Sequence, residues 1–159
     1  MQDLITSPAT YRELLLFVAA GTGFWLFDCF VSSFLLGWHR LSNRFSSTAS
    51  PLGDIKTVGP FRYVVYMKLG QYGSTIRMTA ANDALYLSVI LAFRPGHPPL
   101  RIPWNEISLE RTRRFFRNCV VLTLGTEERI PMRISERMAR KLGLFERFPA
   151  LALVEPHSS

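Results

Sequence analysis

Between Leu14 and Trp38 the chain reads LLLFVAAGTGFWLFDCFVSSFLLGW, 25 residues carrying one charge, Asp28. No other feature constrains the fold as strongly. At 1.5 Å per residue such a run makes a helix of roughly 37 Å, enough to cross a ~30 Å hydrocarbon core with some tilt. Apolar residues occupy every side of that helix rather than one stripe, a pattern suited to lipid. The expectation is a transmembrane helix over residues 14–38, preceded by a short extracytoplasmic N-terminus at 1–13.

Asp28 opposes insertion. Near the middle of a membrane helix an aspartate costs about 2.5–3.5 kcal/mol, whereas each Leu, Val or Phe returns roughly 0.3–0.6 kcal/mol. With thirteen such residues in the run, the sum favours insertion. A protonated Asp28, or one facing another helix, costs less. The competing reading is a buried hairpin or broken helix in a soluble fold, hinged at Gly21-Thr22-Gly23. A cleaved signal peptide fits poorly, because Asp3, Arg12 and Glu13 precede the run in place of a basic segment.

His39, Arg40, Arg44 and Lys56 follow the run, and basic residues at one end of a span hold that end in the cytoplasm. This predicts a single-pass protein of the inner membrane, N-terminus outside and C-terminal domain cytoplasmic, with Trp38 in the aromatic belt. Gly21, Trp25, Asp28 and Ser32 fall on one side of the helical wheel, and Ala19 and Gly23 form a small-xxx-small pair. Small and polar residues are what membrane helices use to approach one another. The expected partners are therefore the lipid bilayer and, through this face, a second copy or a partner helix. Incidental small residues are the alternative.

After the run, residues 39–60 are rich in small polar residues around Ser46-Ser47-Thr48-Ala49-Ser50-Pro51 and read as a juxtamembrane linker. Period-two patterning then begins. Tyr63, Val65, Met67 and Leu69 alternate with polar or bulky neighbours, Ile76 and Met78 follow a turn, and Leu85, Leu87, Val89, Leu91 and Phe93 give the cleanest alternation. Such runs predict half-buried antiparallel strands. Three prolines make 94–99 a rigid loop. Further strands are expected at Leu100–Leu109, Cys119–Leu124 and Arg129–Ile134, the last at an edge because of Pro131. Ser135 is placed to cap one helix with Met138, Leu142 and Phe145 on its inner face, closed by Pro149. Residues 150–159 read as a flexible tail.

The predicted fold class is mainly β, with about seven antiparallel strands in a barrel or sandwich over 61–149 and one C-terminal helix. Gly37-Trp38-His39-Arg40-Leu41, Leu85-Tyr86-Leu87 and Phe93-Arg94-Pro95-Gly96-His97-Pro98-Pro99-Leu100 leading into Ile102-Pro103-Trp104-Asn105-Glu106-Ile107 carry a resemblance. The chain resembles small proteobacterial membrane-anchored proteins with a pleckstrin-homology-like (GRAM-like) domain. That resemblance implies the fold; its motifs carry no chemistry, so it implies no catalytic residue.

Candidate chemistry is sparse. Of the three histidines, His39, His97 and His157, no two have ligand spacing with each other or with Cys29 and Cys119, so no metal site or other cofactor is expected. Both cysteines read as free thiols of a reducing compartment. The chain has 19 Lys and Arg against 12 Asp and Glu, a net charge of +7, which favours anionic surfaces. The densest basic segment is Arg111-Thr112-Arg113-Arg114-Phe115-Phe116-Arg117. Arg111, Arg113, Arg114 and Arg117 suit anionic headgroups, with Phe115 and Phe116 dipping into the interface. Tracking a nucleic-acid backbone is the less favoured use, and a solvated hairpin end is the structural alternative. The functional expectation is a non-catalytic, membrane-anchored interaction or scaffolding module. The alternative is an unrecognised enzyme or an accessory subunit of a membrane enzyme complex.

Overall fold

The computed structural model describes residues 8–60, 63–67, 70–72, 75–114, 117–153 and 157–158. Helix α1 (Pro8–Leu35) opens on a proline, whose missing N–H is unneeded in a first turn. Its stretch from Thr10 to Leu35 is long and apolar enough to cross a membrane by length and composition, and 6% of its most apolar window is buried inside the protein. Gly37, at φ 87°, turns the chain into a short second helix, α2 (Trp38–Phe45), whose Trp38, Leu41 and Phe45 are buried.

Two sheets enclose the core. Strands β1 (Lys56–Val58), β4 (Ile76–Ala80), β5 (Ala84–Val89) and β6 (Leu100–Pro103) form an antiparallel sheet in the order β1-β4-β5-β6. The second sheet is ordered β10-β7-β8-β9-β2-β3. It comprises β2 (Tyr66–Met67), β3 (Gly70–Gln71), β7 (Ile107–Arg114), β8 (Arg117–Leu124), β9 (Ile130–Ser135) and β10 (His157–Ser158). Its pairings are antiparallel except that of β10 with β7. Met78, Leu85, Leu87 and Ile102 of one sheet join Val120, Leu122, Met132 and Ile134 of the other, with Trp38 and Leu41, in one buried cluster. Mainly β, behind a long apolar helix, is thus the architecture.

The departures from expectation have identifiable causes. Residues 39–60 are not a loose linker: the apolar side of α2 joins the core, Ser46 bridges to Leu100, and β1 joins the first sheet in register with β4. The alternation through Leu91 and Phe93 outlasts its strand. β5 stops at Val89, and Leu91–Phe93 is a 3₁₀ turn on the surface. Strand β9 is interior to the sheet order; its described pairing with β2 covers Met132 and Arg133, just past Pro131.

The single C-terminal helix is three: α3 (Glu136–Lys141), α4 (Leu144–Arg147) and α5 (Ala150–Leu153). Leu142 and Leu144 are both buried, and residues two apart point to opposite sides of a helix. Gly143, at φ 70°, breaks the helix between them so that both reach the core. Ser135 does cap α3, its Oγ accepting from the Met138 N–H. That helix packs against β1 of one sheet and against β8 and β9 of the other. The expected tail at 150–159 starts as α5, with Leu151 buried, and β10 lies beside β7.

Candidate functional site

The most highly organised polar geometry lies where α1 meets the β domain. Cys29, Ser33 and Gly37 are small residues spaced four apart, and all three are buried. That spacing aligns them on one face of α1 and its exit. Against this face lies the Arg94–Pro99 loop. The Ser33 hydroxyl donates to the Gly96 carbonyl at 2.5 Å. A Cβ on Gly96 would stand 3.1 Å from Phe30 Cδ1 and 3.4 Å from the Cys29 carbonyl oxygen, so backbone meets backbone there with no room to spare.

One turn further on, the loop is held by rings. Trp38 is 0% exposed and its indole N–H donates to the Pro98 carbonyl at 3.0 Å. Its ring packs tilted on Tyr72 and edge-on to His97, at centroid separations of 5.5 and 5.4 Å. The Tyr72 hydroxyl lies 3.0 Å from His97 Nε2, and His97 Nδ1 lies 3.0 Å from the Pro95 carbonyl. A carbonyl only accepts, so Nδ1 carries the proton, Nε2 is the acceptor and Tyr72 donates. Burial depresses the His97 pKa below its ordinary 6.5, against hydrogen bonds to the Pro95 and Phe93 backbone. Burial likewise pushes the Tyr72 hydroxyl far above its usual range. Both groups are therefore neutral near pH 7, and the pair acts as a polar pin inside an aromatic cluster.

Alpha-2 is fastened at its other end by charge. Arg44 Nη2 meets Glu106 Oε1 at 2.6 Å, with Glu128 and Glu127 at 3.5 and 3.8 Å from Nη1. Glu106 also accepts from the Thr126 hydroxyl and N–H, hydrogen bonds that hold its carboxyl below the usual range. Of the basic residues after the span, Arg44 thus sits among three carboxylates and Lys56 pairs with Glu146, while His39 and Arg40 are exposed.

The residues singled out from sequence fall differently. Trp38, expected in the membrane belt, belongs to the domain core, because Gly37 turns it away from the axis of α1. Asp28 is exposed and off-centre, twenty positions from Pro8 and seven from Leu35. Gly21 is exposed, and Trp25 and Ser32 are half-buried. The buried face of α1 at the junction is that of Cys29 and Ser33, offset by one residue from the Gly21–Trp25–Asp28–Ser32 side. The four-residue spacing of Cys29, Ser33 and Gly37 was the available signal.

The basic hairpin is also divided. Arg111 turns inward, pairing with Glu136 at 3.1 Å and lying 5.9 Å from the centre of the Phe145 ring. Burial raises Glu136, but hydrogen bonds from Arg140 and Arg111 outweigh it and leave the carboxyl lowered. Arg113 is exposed, opposite Asn118. Arg114 and Arg117 pair at the end of the β7–β8 ladder, and Phe115 and Phe116 lie outside the described residues. The other end of that ladder, Ile107 opposite Leu124, adjoins the helix exit, since Leu124 pairs with Ile130 and Ile130 touches Gly37. At about 3.4 Å per residue the strand separates the two ends by roughly 24 Å.

Among the described residues no three His, Cys, Asp or Glu side chains converge as metal ligands do, and Cys29 and Cys119 form no disulfide. Shallow clefts among the described residues include two of similar size. One, about 310 Å³, is lined by Ile107, Leu109, Phe148 and Leu151; the other, about 370 Å³, by Lys56, Asn82, Glu146 and Arg147. In the second, Lys56 is paired with Glu146. Compared with protein-family models, with curated proteins and with solved structures, the chain matches none.

Proposed function

We propose that this chain is a non-catalytic, membrane-anchored interaction module whose β domain is held directly against the bilayer. One observation carries the reading. Helix α1 leaves its apolar sides bare from Leu14 to Val18 and again at Phe24, Phe27, Phe30, Phe34 and Leu35, while its last turns are locked to the domain. A contiguous apolar surface of that size is unstable in water and needs a cover. A bilayer supplies one of matching length. A ~30 Å core takes about twenty residues; counted from Leu14, past Arg12 and Glu13, it ends near Ser33 and places Asp28 roughly 7 Å inside the domain-side boundary, where a carboxylate costs less than at the centre.

His39 and Arg40, exposed just past the span, support an inner-membrane topology with the domain in the cytoplasm. Two antiparallel meanders followed by packed helices support a pleckstrin-homology-like domain. The exposed Gly21 and Asp28 leave one side of α1 open to a partner helix or a second copy. A polar interior that fastens elements to each other supports scaffolding over catalysis.

Extraction of membranes with alkaline carbonate tests the anchor. The full chain is expected in the pellet, and a Leu16→Lys/Phe17→Lys variant in the supernatant. Wild-type chain released as a monodisperse soluble species contradicts the reading.

A further inference from the structure

The turn Leu91–Phe93 is an apolar feature that the core does not use. Leu91 is 78% and Phe93 38% exposed, although both continue the hydrophobic alternation of β5. Single exposed leucines are ordinary, but this pair is placed in a particular way. It belongs to the loop whose Gly96 abuts Cys29 and Phe30. Phe27, Phe30 and Phe34 are bare on the stretch of α1 against which this loop packs, so apolar side chains are exposed on both partners of the contact.

The turn also makes backbone hydrogen bonds of its own. Phe93 N–H donates to the Ile90 carbonyl, Arg94 N–H to Leu91 and His97 N–H to Arg94, at 2.9, 3.2 and 2.9 Å. Those three donors stay paired if the turn leaves water. Arg94 follows directly and is exposed, a long basic side chain able to keep its guanidinium at headgroup level while its stem lies along apolar surface.

From this geometry we infer that the Leu91–Phe93 turn is a second membrane contact, inserted into the headgroup–acyl boundary beside α1, with Arg94 on anionic headgroups. The inference rests on the anchor reading. The bilayer is chosen over a second copy because whatever medium covers Phe30 meets the loop that packs on it. Two contacts, a helix and a turn, fix the tilt of the domain as well as its distance from the membrane.

Photocrosslinking in the full chain tests this. p-Benzoyl-phenylalanine in place of Phe93, reconstituted in vesicles of phosphatidylcholine and phosphatidylglycerol, is expected to yield a phospholipid adduct by mass spectrometry. The same residue in place of Phe17 reports on the anchor. A lipid adduct at 17 with none at 93 overturns the inference and leaves the anchor standing. A covalent dimer through position 93 overturns it in favour of a second copy. Absence of lipid adducts at both positions overturns the inference and the anchor reading together. Should the label at 93 disturb folding, p-benzoyl-phenylalanine in place of Leu91 gives the same readout from a more exposed site.

Discussion

His97 Nε2 accepts a hydrogen bond from the Tyr72 hydroxyl, 3.0 Å away, in a site where the histidine is 2% exposed. The proton on His97 Nδ1, donated to Pro95, leaves no other assignment for a neutral ring. Removing the donor strands a buried nitrogen. Tyr72→Phe is therefore expected to destabilise the domain by about 1–3 kcal/mol in denaturant titration. A change within a few tenths of a kcal/mol would show that the pin is dispensable.

The same pair sets a pH dependence. Burial depresses the His97 pKa, so the unfolded chain binds this proton more readily than the folded one. The contribution is fully present above the ordinary value of 6.5 and is lost as pH falls from there through the folded pKa. The expected outcome is a thermal midpoint that drops between pH 7 and 5, with a shallower slope in His97→Gln. Glu136, whose carboxyl is lowered, works in a separate window. Its contribution is present above the ordinary 4.5 and fails as pH drops below it. Identical slopes for wild type and His97→Gln above pH 5 would assign the loss elsewhere.

At the junction, Gly96→Ala should cost roughly 1–2 kcal/mol for the left-handed backbone alone, since φ is 73°. Its added methyl also presses on Phe30. Ser33→Ala removes the hydrogen bond across the same contact. Both are expected to speed amide exchange in residues 29–37 while leaving exchange in β8 unchanged. Uniform acceleration across the domain would mean that the junction is not a separate fastening.

Trp38→Ala should be the most damaging of these substitutions, about 3–5 kcal/mol, because it removes a fully buried indole from the core cluster. A belt tryptophan replaced by alanine would change membrane depth and spare the domain. Thermal melting in detergent separates the two.

The caps of the C-terminal segment give a more local expectation. Ser135→Ala removes the acceptor for the Met138 N–H and should cost about 1 kcal/mol. Glu136→Gln takes the carboxylate from Arg111 and Arg140 at once and should cost roughly 1.5–3 kcal/mol. Equal stability of wild type and Glu136→Gln at pH 7 would count against that carboxylate as a hub.

Much of this molecule was legible as pattern. The Leu14–Trp38 run marked α1, the period-two stretches marked β4 to β9, and Ser135 marked a helix start. What escaped was non-local. Trp38 looked like a belt residue because nothing in its neighbourhood announces that Pro98, sixty positions on, takes its indole N–H. Leu41 and Phe45 are spaced four apart beside it, a helical stripe hidden by the polar residues between them. Arg111 reads as surface charge until Glu136 is seen across the sheet. Leu91 and Phe93 keep strand periodicity past the point where the loop must turn to meet α1. For the junction, the small-residue spacing at 29, 33 and 37 was visible, but its partner was a loop rather than a second helix.

The central claim is that a bilayer-embedded α1 and the β domain move as one piece. Electron–electron distance measurement in lipid nanodiscs tests it most directly. Nitroxides would sit on genetically encoded keto residues at Phe24 and Leu52, both exposed, leaving the cysteines intact. A rigid junction predicts one narrow distance distribution a few ångströms wide, beyond the spread of the labels themselves. A flexible tether beginning at residue 39 would scatter the label at Leu52 over about 20 Å. A distribution that broad would contradict the account.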